Sequence, residues 1–179
     1  MICIADPNHY TRRLVQGMLR NFGANKIIEA TSSEDTLKIL SEHKIDVMIC
    51  DSELPPKGGL SLARTIRHNK DVGVHTLPIL LMTADAREAT IKMARDAGTN
   101  MVLLKPISPK NLYDRLAWVA FTPRNFVDSP AYFGPDRRLK IEGYPNGVGR
   151  RKGDQPVEVG KQAGPPPVQN NSDKLLASG

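Results

Sequence analysis

The sequence predicts a doubly wound α/β domain, a parallel sheet with helices on both faces, followed by a disordered tail. Three observations carry that expectation. Five short apolar runs recur through about the first 120 residues, an amphipathic stretch follows each of them, and the composition changes after Trp118. Strand–helix alternation of this kind is the pattern of a parallel sheet wound in both directions.

The five runs are Ile2–Ala5, Lys26–Ile28, Val47–Cys50, Ile79–Met82 and Met101–Leu104. None alternates apolar with polar residues, as expected of strands buried on both faces. After the first run, Tyr10–Phe22 places Leu14, Val15, Met18 and Leu19 at helical spacing. After the second, Ser33–Ser41 begins with Ser33 and Glu34 as capping candidates and continues through Leu37, Ile39 and Leu40. The third is followed by the Gly58-Gly59 turn and Leu60–Arg67, and the fourth by Arg87–Ala97, which stops at Gly98. After the fifth, Pro109–Val119 begins behind the cap candidate Ser108.

Composition sets the outer limits. The net charge of +6 divides evenly between residues 1–119 and 120–179, so the shorter tail is the more basic per residue. A mild basic balance permits contact with nucleic acid or anionic lipid without arguing for either. Cys3 and Cys50, the only two cysteines, sit inside apolar runs and read as buried free thiols. No apolar run approaches the roughly 18–20 residues that span a bilayer, so a soluble, cytoplasmic chain without membrane contact is expected.

Chemistry in a doubly wound sheet gathers where loops leave the carboxyl ends of the strands. Those ends carry Asp6 after the first run, Asp51 after the third, Thr83 after the fourth and Lys105 after the fifth. Two acids, a hydroxyl and an amine therefore converge on one edge. No nucleophile–base triad, cofactor loop or metal-ligand cluster stands apart from it, so the chain is not expected to be an enzyme.

This constellation resembles the receiver domain of two-component response regulators over residues 1 to about 120. The resemblance rests on Ile2-Cys3-Ile4-Ala5-Asp6 with Arg12-Arg13 downstream, Asp51-Ser52-Glu53-Leu54-Pro55 with Gly58-Gly59, Leu80-Leu81-Met82-Thr83-Ala84, and Leu104-Lys105-Pro106. It implies a flavodoxin-like sheet of order 2-1-3-4-5. It implies that Asp51 accepts a phosphoryl group from a sensor histidine kinase or a histidine phosphotransferase, with an unknown output protein as the next partner. Lys105 and Thr83 would contact the phosphoryl oxygens, small Ala84 would leave room for the group, and the Lys105-Pro106 bond is a candidate cis peptide. Mg²⁺ would be held by Asp6 and Asp51, with Glu53 offering its backbone or its carboxylate.

Two positions depart from the family pattern. Pro7 stands where a second acid is usual after the first strand, so Mg²⁺ should bind more weakly. Val102 occupies the switch position, often Tyr or Phe, and a β-branched side chain has nothing comparable to swing. Both keep open a rival reading, a pseudo-receiver that binds partners without phosphorylation.

Past residue 120, we divide the chain into an aromatic and basic extension, 121–139, and a disordered tail, 140–179. Phe121, Phe126, Tyr132, Phe133 and Tyr144 fall here beside Arg137-Arg138 and Arg150-Arg151-Lys152. Such interleaving can stack on bases and touch phosphates, which makes a nucleic-acid-binding regulator a second rival, or it can fold on a protein. The plain expectation is that Phe121 and Phe126 pack on the last helix and the remainder is solvated. The stretch Tyr132–Arg138 is similar to tails after stand-alone receivers of alphaproteobacteria. Lacking a helix-turn-helix pattern, the extension makes a nucleic-acid partner the weaker expectation.

Overall fold

A computed structural model describes residues 1–68, 74–122, 124–129 and 132–137, together with the backbone of 155–157. Its first 121 residues alternate as expected: β1 (Ile2–Ala5), α1 (His9–Asn21), β2 (Ile27–Ala30), α2 (Ser33–Glu42), β3 (Val47–Asp51), α3 (Gly59–His68), β4 (Ile79–Thr83), α4 (Glu88–Asp96), β5 (Met101–Leu104) and α5 (Pro109–Phe121). The five strands form one sheet in the order β2-β1-β3-β4-β5, every pairing parallel. The fold class expected from the sequence is the one observed.

The absence of alternation in the strands has its cause in two separate cores. Cys3, Ala5, Met48, Cys50 and Ile79 face one side, packed with Leu40, Leu62 and Ile66 from α2 and α3. Ile4, Ile49, Leu80, Met82 and Leu103 face the other, packed with Val15, Leu19, Leu112 and Val119 from α1 and α5. All ten strand residues are at most 2% exposed, and each large aliphatic one contributes roughly 1.5–3 kcal/mol by leaving water. Both cysteines are buried and free, as read from their apolar context. Among the described residues no helix is long and apolar enough to cross a membrane.

Several boundaries move by one or two residues: β3 runs on to Asp51, β4 to Thr83 and α5 to Phe121. The second strand is Ile27–Ala30 rather than Lys26–Ile28, because its register against β1 runs Ile2↔Ile27 through Ala5↔Ala30. The cap of α2 is Ser32, whose side chain accepts from the Asp35 N–H at 3.1 Å; Ser33 is already helical. Ser108 caps α5 as expected, accepting from Asn111.

The larger correction lies past α5. Instead of packing on α5 and running into solvent, the extension forms an antiparallel hairpin of β6 (Phe126–Ser129) and β7 (Tyr132–Pro135). A third strand, β8 (Gln155–Val157), pairs with the open side of β6, inside the stretch 140–179 expected to be disordered. Phe121 is half exposed, whereas Phe126 is 3% exposed and buried against the far end of the domain. Arg138, Tyr144, Arg150-Arg151-Lys152 and the proline run Pro165–Pro167 lie outside the described residues.

The hairpin seats on the edge of the sheet where β4 and β5 begin. Phe133 meets the His75 ring at 5.2 Å, Gly134 lies against Gly98, and the Phe126 ring covers the Arg67 guanidinium at 5.1 Å. Arg67 is 1% exposed. It donates through Nε to the Gly98 carbonyl at 2.9 Å, through Nη1 to the His75 carbonyl at 2.8 Å, and through Nη2 to Asn100 Oδ1 at 3.1 Å. Burial pushes this guanidinium down to about 9, which leaves it cationic at neutral pH.

Candidate functional site

Because all five strands run the same way, their carboxyl ends share one edge. Asp6 follows β1 directly, Asp51 is the last residue of β3, Thr83 the last of β4, and Lys105 follows β5. β3 pairs Asp51 with Met82, and the Lys105 N–H donates to the Thr83 carbonyl at 2.8 Å, so the loops emerge side by side.

Asp6 and Asp51 are 1% and 3% exposed, and the Lys105 ammonium joins them. It donates to Asp51 Oδ2 in a direct ion pair and stands 3.4 Å from Asp6 Oδ2. Each acid has its second oxygen fixed by the backbone: Asn8 N–H donates to Asp6 Oδ1 and Glu53 N–H to Asp51 Oδ1, both at 2.7 Å. Two carboxylates thus share one ammonium, a local excess of negative charge in a buried place. Burial first, and the Asp51 charge after it, hold the Asp6 carboxyl above its ordinary range against the opposing pull of Asn8 and Lys105. Lys105 loses charge stability to burial, but the hydrogen bonds and charges of Asp51 and Asp6 outweigh that and raise it.

The other residues singled out in the sequence lie around this cluster. Thr83 is buried, and its Oγ1 accepts from the Asp85 N–H at 3.1 Å, which leaves its hydroxyl proton free to donate. Ala84 is exposed beside it. Glu53 is also exposed, and among the described residues no three His, Cys, Asp or Glu side chains gather as a metal cluster, so its carboxylate does not join the two aspartates. The Lys105–Pro106 peptide is cis, and so is Pro55–Pro56. Pro7 is exposed at the site's rim, while Val102 is partly buried and pairs with Leu81.

Several positioning residues escaped the sequence reading. Arg12 donates to the carbonyls of Asp6 at 2.8 Å and Pro7 at 3.2 Å while its Nε binds Glu29 at 2.7 Å, so it ties down the β1–α1 loop. Asn8 both caps α1 and supplies the N–H on Asp6. An Asn directly before the first helical residue is the signal that could have revealed this cap. Gly59 permits the close approach of α3: a Cβ there would lie 2.1 Å from the Asp51 carbonyl oxygen. Asp85, gripped by Arg87 and by the Thr90 hydroxyl at 2.6 Å, shapes the β4–α4 loop.

A buried Asp–Asp–Lys cluster beside a strand-end Thr, on a sheet of this order, defines a receiver. The response regulator receiver domain model matches residues 2–117, and the chain belongs to that family. The chemotaxis protein CheY-3 of Vibrio cholerae is 31% identical over 115 residues, covering 64% of this chain and 87% of its own. Among solved structures, a response regulator of Chloroflexus aurantiacus is 29% identical with a TM-score of 0.59, covering 64% of this chain and 92% of its own. A receiver domain of a Pseudomonas aeruginosa sensor histidine kinase, described with magnesium coordinated in its active-site cleft, shares the fold at 24% identity and a TM-score of 0.58, covering 66% of this chain and 96% of its own. The hairpin, from Phe126 onward, lies wholly beyond the family match.

Proposed function

We propose that the chain accepts a phosphoryl group on Asp51 from a phosphohistidine of a sensor histidine kinase or histidine phosphotransferase, and reports it through protein contacts. The observation that carries this reading is the Lys105 ammonium bridging two carboxylates that are almost fully buried. A buried acid pair with one counter-charge is costly as structure alone, and it suits a place where a dianionic group is to be received.

In the step itself, an Asp51 carboxylate oxygen attacks phosphorus, the P–N bond to the donor imidazole breaks, and an acyl phosphate forms. Phosphoryl transfer asks a protein chiefly for positioning and charge neutralisation. The Glu53 N–H and Lys105 fix the Asp51 carboxylate before attack. Lys105 then re-partners to a phosphoryl oxygen, a contact its compact ammonium suits. Thr83 donates its free hydroxyl proton to another, and exposed Ala84 leaves space above it.

The donor set fits Mg²⁺, which needs only one or two carboxylates with waters and phosphate oxygens. Asp6 and Asp51 would hold it, with the backbone of Glu53 the remaining candidate, and Pro7 offers no further donor. Bound there, the cation would neutralise charge on the transferring group. The reading includes a cytoplasmic setting, supported by the free, buried thiols.

Intact-mass measurement after incubation with acetyl phosphate and Mg²⁺ tests the assignment. Wild type gains one phosphoryl mass and Asp51→Asn gains none. A wild type that stays unmodified under these conditions favours the pseudo-receiver, and a modified Asp51→Asn removes the site assignment.

A further inference from the structure

The loop between β1 and α1 carries Asp6 into the phosphoryl site, and Pro7 stands in the middle of it. Proline has no N–H, so residue 7 cannot anchor the loop by donating a backbone hydrogen bond. The loop is held through its carbonyls instead. Arg12 Nη1 donates to the Asp6 carbonyl at 2.8 Å and to the Pro7 carbonyl at 3.2 Å. One of these belongs to the acid whose carboxylate stands 3.4 Å from the Lys105 ammonium, the other to its neighbour.

Arg12 is itself aimed from the adjacent strand. Glu29, opposite Ile4 in the register of β1 and β2, accepts from Arg12 Nε through Oε2 at 2.7 Å and from Gln16 Nε2 through Oε1 at 3.0 Å. Both of its oxygens are therefore engaged by neighbouring turns of α1. A guanidinium is planar and its donors point in fixed directions, so holding Nε on one side sets where Nη1 points on the other. The Arg12 side chain is 13% exposed and that of Glu29 33%, so solvent screens this pair less than an open surface ion pair. An ion pair between helix and strand could serve stability alone. What separates this one is where the remaining donor goes: onto the two carbonyls at the site.

We propose that Glu29, acting through Arg12, is a positioning residue for phosphoryl acceptance, holding Asp6 where it can share a cation with Asp51. The inference rests on the reading of Asp51 as phosphoacceptor. Glu29 aims the guanidinium and the guanidinium fixes the loop backbone. The Asn8 N–H, 2.7 Å from Asp6 Oδ1, then fixes the carboxylate on that backbone. Without this brace Asp6 keeps its charge and loses its place. Groups that orient a metal-binding carboxylate from behind govern affinity or rate by about 10–100-fold.

The full chain is compared with Arg12→Ala, Glu29→Gln, the double variant and Arg12→Lys. Mg²⁺ affinity is read by isothermal titration calorimetry, phosphorylation by acetyl phosphate at saturating Mg²⁺, and folding by urea denaturation. Arg12→Ala should weaken Mg²⁺ binding and slow phosphorylation about tenfold each. Glu29→Gln should cost about three- to fivefold, and the double variant no more than Arg12→Ala, because both changes act along one route. Arg12→Lys should resemble Arg12→Ala, since one ammonium cannot span Glu29 and two carbonyls. Glu29→Gln is nearly isosteric and keeps an oxygen acceptor, so it carries the test if Arg12→Ala does not fold. Wild-type Mg²⁺ affinity and rate in the folded variants overturn the proposal and leave a structural ion pair. So does a double variant whose loss is the product of the two single losses, or an Arg12→Lys that behaves as wild type. A wild type that binds Mg²⁺ yet takes up no phosphoryl group removes the phosphoacceptor reading, while weakened Mg²⁺ binding in Glu29→Gln would still put Asp6 under the control of Glu29.

Discussion

The two edges of the central sheet both bury charge, and they do it in opposite ways. At the carboxyl edge Asp6 and Asp51 share Lys105, so two acids compete for one cation whose allegiance can change. At the amino edge Arg67 is as deeply buried, but its partners are two carbonyls, a carboxamide and the face of a phenyl ring. Neutral dipoles held by the backbone cannot be re-partnered without unfolding something. On the proposed function, charge that can change partners marks the edge that would receive a phosphoryl group, and locked charge marks the edge that holds the structure together.

The strongest way to break the contrast is to disturb the scaffold of the carboxyl edge itself. Gly59→Ala places a methyl group 2.1 Å from the Asp51 carbonyl, where only a backbone shift can relieve it. The variant should lose about 3 kcal/mol or more of stability by urea denaturation, and its phosphorylation by acetyl phosphate should slow at least about tenfold as Asp51 moves.

Arg67→Ala tests the amino edge. The Gly98 and His75 carbonyls lose the guanidinium donor, Asn100 Oδ1 keeps only the Ile79 N–H, and the Phe126 ring loses its floor, so a loss of about 2–3 kcal/mol is expected. In the fraction that stays folded, the rate of Asp51 phosphorylation should match wild type. A slowed rate there would mean that the two edges are coupled and the division drawn above is wrong.

Asp51→Asn should move stability the other way. It removes one of two crowded carboxylates while keeping an oxygen for the Glu53 N–H, and a gain of about 1 kcal/mol is expected without Mg²⁺. Charge kept for function is charge the fold would be more stable without. A less stable Asp51→Asn would show that the ion pair is structural after all.

Pro7→Asp sharpens the same point from the metal's side. A third carboxylate near Asp6 and Asp51 should lower stability without Mg²⁺ and enlarge the stabilisation that Mg²⁺ restores, by about 0.5–1 kcal/mol at saturating metal. Melting curves of both proteins with and without the cation decide it. Equal responses would place residue 7 outside the coordination sphere.

An effect that vanishes at neutral pH concerns Cys3, in the core between the two edges. Burial, and secondarily the charge of Asp35, push its thiol up to about 12 from an ordinary value of 9.0. Between those values the folded chain keeps a proton that the unfolded chain releases. Stability is therefore unaffected below pH 9 and falls as pH rises toward 12, by up to about 1.4 kcal/mol per unit. Urea midpoints of wild type and Cys3→Ala from pH 8 to 10.5 should converge as pH rises.

Much of the carboxyl edge is legible in the sequence. Strand periodicity places Asp6, Asp51, Thr83 and Lys105 at strand ends, and parallel strands bring their ends together whatever the loops do. What stayed hidden there is the supporting layer, because Arg12 reads as one more surface cation until its guanidinium is found on the Asp6 and Pro7 carbonyls. The hairpin was harder still. Tyr132–Pro135 is rich in Gly and Pro by composition, and its strand character comes from pairing with β6 and from packing against Gly98 and His75.

The sheet, its two buried faces and the residues at its carboxyl edge are thus written in the order of the amino acids. Each depends on a local period or on a motif within one loop. Three-dimensional packing alone makes the extension fold back, buries the Arg67 cation, and brings Arg124 and Arg137 beside Arg95 and Arg115. Arg67 meets its partners Gly98 and Asn100 at separations of 31 and 33 residues. No pattern within a helix or strand announces such a contact, because its free energy exists only once distant segments have shut water out together.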